Sequence, residues 1–191
     1  MTKAIIFDLY NTLIYSDLRL KPYLEFFREM DLNKEEQSIW RDRVMTENFG
    51  SFQDLAKEID PNQKIYSTKY DYLVEKENKH TFVFDDTYQV LDFLSKKYRI
   101  FLLSNISTPY KECFYNLGLD RWIETPFFSC DIGYRKPNPK AFLHVLGSVG
   151  MKPSETVMVG DSRHSDFEGA SSVGIRAILK DRPLSDLVSE I

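Results

Sequence analysis

Five short apolar runs punctuate the chain at wide intervals, and three of them stop on polar residues. Ala4 to Leu9 closes around Asp8, Arg99 to Leu103 stops on Ser104-Asn105, and Thr156 to Val159 stops on Gly160-Asp161. A fourth run is Gly174 to Leu179, and a weaker one surrounds Phe127-Phe128-Ser129. A strand with one face in water alternates apolar and polar residues. These runs do not alternate, which suits strands of a parallel sheet covered on both faces.

Helical patterns fill the spaces between the runs. Asp86 is placed to cap a helix from Thr87 to about Lys97, with Val90, Leu91, Phe93 and Leu94 as its apolar side. Thr108-Pro109 opens a second helix, stopped near Gly118. Asn138-Pro139 opens a third, striped by Phe142, Val145, Leu146 and Val149 and ended by Gly150. Proline suits the first helical position because its missing N–H costs nothing there, and glycine suits the position past the end. Strand alternating with helix predicts an α/β fold with a doubly wound parallel sheet.

Residues 17–84 break that rhythm. They show no clear strand, a turn at Pro61, and helical spacings such as Tyr23, Leu24, Phe27 and Met30. The expected organisation is a helical insert at 17–84, placed after the first strand, and an α/β core made of 1–16 and 85–191. The aromatics Tyr23, Phe26, Phe27, Trp40 and Phe49 read as the insert's own core, with one or two facing a cleft. The charged run Lys76 to Lys79 reads as a solvated face or hinge.

Composition excludes several function classes. With 42% apolar and 28% charged residues the chain is globular, and a net charge of −4 without a basic stripe argues against a nucleic acid polymer as partner. No stretch approaches the ~20 apolar residues of a membrane span. The first residues do not form a signal peptide, because the apolar run is brief and ends in an aspartate. Cys113 and Cys130 show no metal-ligand spacing and read as reduced, part-buried thiols. A cytoplasmic protein is the expectation. Oligomeric state is not legible.

In open parallel sheets the ligand site lies beyond the carboxyl ends of the strands. That edge receives Asp8, Ser104-Asn105 and Asp161, with Asp166 just beyond. Three carboxylates so placed raise one another's pKa unless a cation sits among them. Mg²⁺ takes carboxylate oxygens together with substrate phosphate and water, so metal and phosphate are implied together. A carboxylate also serves as a nucleophile. Lys136 precedes the Asn138-Pro139 helix start, which favours an anion, and its ammonium is the candidate to neutralise charge on a transferring group.

The motifs then become specific. Phe7-Asp8-Leu9-Tyr10-Asn11-Thr12-Leu13, Leu103-Ser104-Asn105, Gly133-Tyr134-Arg135-Lys136-Pro137-Asn138-Pro139 and Val159-Gly160-Asp161-Ser162, continuing to Asp166 and Gly169-Ala170, resemble in order the four motifs of the haloacid dehalogenase superfamily. The insert is similar to the helical cap that the family places after its first motif. The resemblance implies a Rossmann-like core with Asp8 as nucleophile forming a phosphoaspartate. It implies Mg²⁺ held by Asp8, the Tyr10 backbone carbonyl, Asp161 and Asp166, and phosphate held by Ser104, Asn105 and Lys136. The implied substrate is a small phosphorylated metabolite, selected by the cap.

Tyr10 departs from the pattern. The family's phosphatases usually carry a second aspartate there, which protonates the leaving group. A general acid contributes about 10²–10⁴-fold, and a phenol with pKa ≈ 10 is a poor substitute. Three readings follow. The first is a slow or specialised phosphatase that favours a leaving group needing little protonation, such as an acyl or aryl phosphate, or recruits an acid from the cap. The second is a 2-haloacid dehalogenase, which resembles this chain at Asp8, Tyr10 and Thr12. The third is a catalytically silent binding protein. Asp161 and Asp166 favour the first, since halide displacement has no use for a cation. His164 lies between those aspartates, and His80 and His144 show no evident partner.

Overall fold

The computed structural model of the chain describes residues 1–62 and 68–191. The elements run in the order β1 (Ala4–Phe7), β2 (Ile14–Ser16), α1 (Pro22–Glu29), α2 (Lys34–Thr46), α3 (Phe52–Ile59), α4 (Thr68–Lys79), β3 (Thr81–Val83) and α5 (Thr87–Ser95). There follow β4 (Arg99–Ser104), α6 (Glu112–Asn116), β5 (Thr125–Phe128), α7 (Ser129–Ile132), α8 (Pro139–Val149), β6 (Thr156–Gly160), α9 (Gly169–Ser172), β7 (Arg176–Leu179) and α10 (Leu184–Leu187).

All five expected runs become strands of one parallel sheet in the order β5-β4-β1-β6-β7. Its central strand, β1, explains the unbroken apolar pattern. Ile5 and Phe7 point to a layer with Val90, Leu91 and Leu94 of α5 and with Leu184 and Leu187 of α10. Ala4 and Ile6 point the other way, to Ala141, Phe142, Val145 and Leu146 of α8. Both faces are buried, so neither set of positions tolerates polar residues. Truncating a side chain such as Leu91 or Phe142, both fully buried, costs about 2–5 kcal/mol.

Register sets the site. Phe7 lies beside Leu102 on one side and Val159 on the other. The carboxyl ends of β1, β4 and β6 are therefore level, and the residues that follow them meet at one edge.

Helices α1 to α4 gather a third cluster around Phe26, Phe27, Phe52 and Tyr70. Phe26 meets Phe52 and Tyr70 edge-on at ring separations of 5.1 and 5.2 Å, a geometry that aromatic quadrupoles favour. Trp40, Phe49 and Tyr23 pack against it, half-buried. Asn33 closes α2 with a reciprocal capping box through Glu36. Residues 63–67 of the expected insert lie outside the described residues.

Several expectations are corrected. The stretch 17–84 does contain a strand, because β3 pairs antiparallel with β2, Ile14 opposite Val83 and Ser16 opposite Thr81. Three-residue strands are too short to display a period. Asp86 does not cap α5; its Oδ2 accepts the Ser185 N–H at 2.8 Å and ties α10 down instead. Phe93 is exposed, beneath the Lys97 ammonium at 4.6 Å. The Thr108-Pro109 segment starts as a 3₁₀ turn, Thr108–Tyr110, and becomes helical only at α6. The third helix forms as expected: the Asn138 side chain accepts the Lys140 N–H, and Gly150 follows at φ 67°. No described helix is long and apolar enough to cross a membrane.

Candidate active site

The level strand ends bring Asp8, Asp161 and Asp166 together, with one oxygen from each within 4.8 Å of the others. Asp8 follows β1. Asp161 follows β6. Asp166 sits in a wide π-helical turn, Arg163–Glu168, where its N–H donates to Ser162 O at 3.0 Å. The Ser162 N–H in turn donates to Asp166 Oδ2 at 3.0 Å. Gly160 is required at that crossing, because a Cβ there would stand 2.3 Å from Asp166 Oδ2. Gly169 has a similar reason: its Cβ would meet Phe142 Cε2 at 2.8 Å and Pro137 Cα at 3.1 Å.

Lys136 enters this cluster fully buried. Its Nζ lies 2.6 Å from Asp8 Oδ1 and 2.6 Å from Asp166 Oδ1. Burial works against the ammonium, but Asp8 and Asp166 outweigh it and hold its pKa above the ordinary lysine value. Burial pushes the Asp8 carboxyl up to about 6, opposed by Lys136 and reinforced by Asp166. Asp161 is also raised, by burial and by Asp166, with the Asn11 side chain acting the other way. One ammonium thus pairs with two of three clustered carboxylates.

That excess of negative charge is one sign of fit to a divalent cation. A second is Asp166 Oδ1, which is buried and accepts no well-directed hydrogen bond despite its closeness to Nζ. Hard oxygen donors of this kind suit Mg²⁺.

Asn105 is tied to Lys136. Its Nδ2 donates to Lys136 O at 2.7 Å, and Lys136 N donates to its Oδ1 at 2.7 Å. The side chain therefore grips the Lys136 main chain. Ser104 is buried at the end of β4. Thr12, also buried, lies with Oγ1 at 3.4 Å from Asp8 Oδ2.

The Tyr10 side chain turns away from the carboxylates. Its hydroxyl donates to Cys113 Sγ at 3.4 Å, and Cys113 Sγ donates to Asn78 Oδ1 at 3.0 Å. Burial and the Cys113 sulfur push its pKa well above the ordinary phenol value. His164 is exposed and pairs with Glu168 at 3.2 Å. His80 does have a partner, Asp17 at 3.0 Å, and His144 meets the Phe127 ring edge-on.

A cleft of about 550 Å³ adjoins the site, walled by Asn11 and Asn105 on one side and by Tyr23, Leu24 and Phe27 of α1 on the other. Sequence reasoning missed Glu77 in its wall. Far from being solvated, this carboxylate is buried and accepts the Leu20 and Lys21 N–H groups and the Tyr110 hydroxyl. The signal was available: Tyr70, Val74 and Glu77 are spaced as one helical face. Ser107 and Arg41 in the same wall were missed too, and no local pattern marks them.

The chain is similar to known proteins along most of its length. A glyceraldehyde 3-phosphate phosphatase of Methanopyrus kandleri is 28% identical over 92% of this chain and 82% of its own length. One of the same description from Methanothermobacter thermautotrophicus is 34% identical over 52% of this chain, but the match spans only 45% of that protein. Among solved structures, a HAD family enzyme of Bacteroides thetaiotaomicron, in complex with magnesium and inorganic phosphate, superposes with a TM-score of 0.72. Its identity is 21%, over 98% of this chain and 99% of that one. The family described as haloacid dehalogenase-like hydrolase matches residues 2–174, and the chain belongs to that family.

Proposed function

We propose that the chain is a Mg²⁺-dependent phosphohydrolase of a small phosphorylated metabolite, working through a phosphoaspartate on Asp8. The carrying observation is the cluster of buried Asp8 and Asp166 with half-buried Asp161, three carboxylates within reach of one another, of which the first two pair with the buried Lys136 ammonium. Asp8, Asp161, Asp166 and the Tyr10 carbonyl would hold the cation, which supplies charge neutralisation at the phosphoryl oxygens. The relatives named as phosphatases and the magnesium and phosphate complex of the superposed enzyme support this reading.

In this mechanism an Asp8 carboxylate oxygen attacks phosphorus in line with the leaving oxygen, whose bond to phosphorus breaks. The Lys136 ammonium holds Asp8 in place and offsets the negative charge gathered there. Ser104, at the end of the neighbouring strand β4, would donate its hydroxyl to the phosphoryl group, and Asn105 would keep Lys136 on station. Water then cleaves the acyl phosphate, returning the carboxylate and releasing phosphate. The cap formed by 17–84 would cover the site and choose the substrate.

The Tyr10 hydroxyl is committed to Cys113 and is too weak an acid to protonate a leaving group. With no acid supplied at Tyr10, acyl or aryl phosphates, whose leaving groups need little protonation, should outperform alkyl ones. The test is phosphate release from an aryl phosphate with and without Mg²⁺, beside Asp8→Asn. Release that needs both the cation and Asp8 is expected. Halide release from a 2-haloacid without Mg²⁺ would favour the dehalogenase that Tyr10 resembles. Neither activity, with Asp8→Asn indistinguishable from the wild type, would favour a binding protein.

A further inference from the structure

The cleft beside the site has an apolar body and a cationic rim. Leu18, Leu24, Phe27, Met45 and Ile106 supply the apolar wall, and Arg19, Lys21 and Arg41 also line it. These three cations are exposed, and among the described residues none has a carboxylate at ion-pairing distance. Exposed cations such as Arg28, Lys34 and Lys76 also lack an ion pair among the described residues, whereas Arg43, Lys69, Arg99 and Arg135 each hold an acidic side chain; what sets these three apart is that they line one cleft. Glu77, the carboxylate that lines the cleft among the described residues, is buried and held by Leu20 N, Lys21 N and the Tyr110 hydroxyl; its single charge leaves the three cations in excess. The Ser107 hydroxyl is buried in the same wall without a well-directed hydrogen bond, its near neighbour being the Tyr23 phenol.

Three unpaired cations around an apolar cleft repel one another and attract a complementary anion. Arginine's planar fork suits a carboxylate or phosphate group. We propose that this cleft receives the leaving group of the substrate, and that the leaving group carries a second anionic centre, carboxylate or phosphate, on an apolar body. This rests on the phosphohydrolase reading for what is cleaved, but not for what is bound. It also fits the absence of an acid at Tyr10, since a cationic rim stabilises a leaving group that departs unprotonated.

The test uses three phosphonates that cannot be hydrolysed and share one benzyl body, bearing at the para position a carboxylate, a second phosphonomethyl group, or a neutral carboxamide. Calorimetric titration of the full chain with Mg²⁺ at low salt should show one or both acidic probes binding about tenfold tighter than the carboxamide, the order that two exposed ion pairs supply. Which acidic probe wins identifies the anion. The preference should shrink toward unity in the Arg19→Gln/Arg41→Gln variant and fall as salt is raised. Should that variant fail to fold, the Arg41→Gln single variant and the salt series carry the same comparison. Equal binding of acidic and neutral probes, no binding at all, or a preference that survives both variants would overturn the proposal. Turnover of the matching aryl phosphates is read separately. A binding preference without phosphate release would sink the phosphohydrolase reading and the leaving-group assignment with it, and leave only the anion-binding cleft standing.

Discussion

Asn105 and Lys136 hold each other in both directions, the amide donating to the carbonyl of Lys136 and accepting from its N–H, each at 2.7 Å. The lysine is thereby fixed at its main chain, while its ammonium is fixed between Asp8 and Asp166. Asn105→Ala removes the first constraint only. A small displacement of a catalytic group commonly costs about 10²-fold, and the kcat of this variant should fall by that order. Loss of two buried hydrogen bonds should also lower stability by about 1–3 kcal/mol. Steady-state kinetics beside a urea melt checks both, and an unchanged kcat would contradict the positioning role.

Tyr10→Phe separates the phenol from the backbone. If the hydroxyl were a general acid, its loss would cost about 10²–10⁴-fold. Because the hydroxyl is directed to Cys113, activity should change far less than that, with a stability loss near the low end of 0.5–1.5 kcal/mol, roughly the worth of one hydrogen bond. Rate measurements on one aryl and one alkyl phosphate decide the matter.

Gly160→Ala should be poorly tolerated. Its new Cβ would stand 2.3 Å from Asp166 Oδ2, so either the strand or the carboxylate has to move. Overpacking of this sort costs about 1–3 kcal/mol. Displacement of Asp166 should in addition weaken Mg²⁺ binding, which titration calorimetry reads directly.

Asp161→Asn should act oppositely with and without the metal. In the metal-free fold, burial and Asp166 raise the Asp161 pKa. A raised carboxyl pKa means the charge is disfavoured when folded, so stability at neutral pH gains when the charge is removed. The metal-free variant should melt no lower than the wild type. Saturating Mg²⁺ at about a hundred times its Kd stabilises by about 2.7 kcal/mol, which is about 5–10 °C for a chain of this size. The variant should lose most of that shift in a thermal melt.

Both cysteine thiols should be sluggish. Burial pushes Cys113 and Cys130 up from the ordinary thiol value. A raised acid pKa leaves less thiolate at any given pH, so alkylation at pH 8 should lag the urea-unfolded chain. The lag should narrow only as pH climbs above the ordinary thiol range. Mass spectrometry of iodoacetamide-treated protein measures it.

The strands of the sheet were legible because burial on both faces imposes a local pattern that survives in one dimension, as at Ile5, Ile6 and Phe7. The meeting of Asp8 with Asp161 was legible too, since parallel topology makes strand ends level. What escaped depends on partners distant in sequence. Asp86 looks like a helix cap until Ser185 arrives. Glu77 looks solvated until Leu20 and Tyr110 close over it. The strands β2 and β3 are each three residues long and exist only as a pair. Asn105 was visible as a site residue, but its commitment to the Lys136 main chain was not, because a side chain's hydrogen-bond partner leaves no trace in composition.

The central place of β1 has a consequence for biosynthesis. The strand made first must wait for both of its neighbours, β4 and β6, the second of which lies about 150 residues downstream. Until β6 emerges, one edge of β1 stays unpaired and Asp8 lacks Asp161 and Asp166. The nascent chain therefore passes through a long interval in which its most apolar strand is exposed and its chemistry is silent. The site is completed only in that late step, so a chain cut just before β6 keeps Asp8 and Lys136 but lacks Asp161 and Asp166.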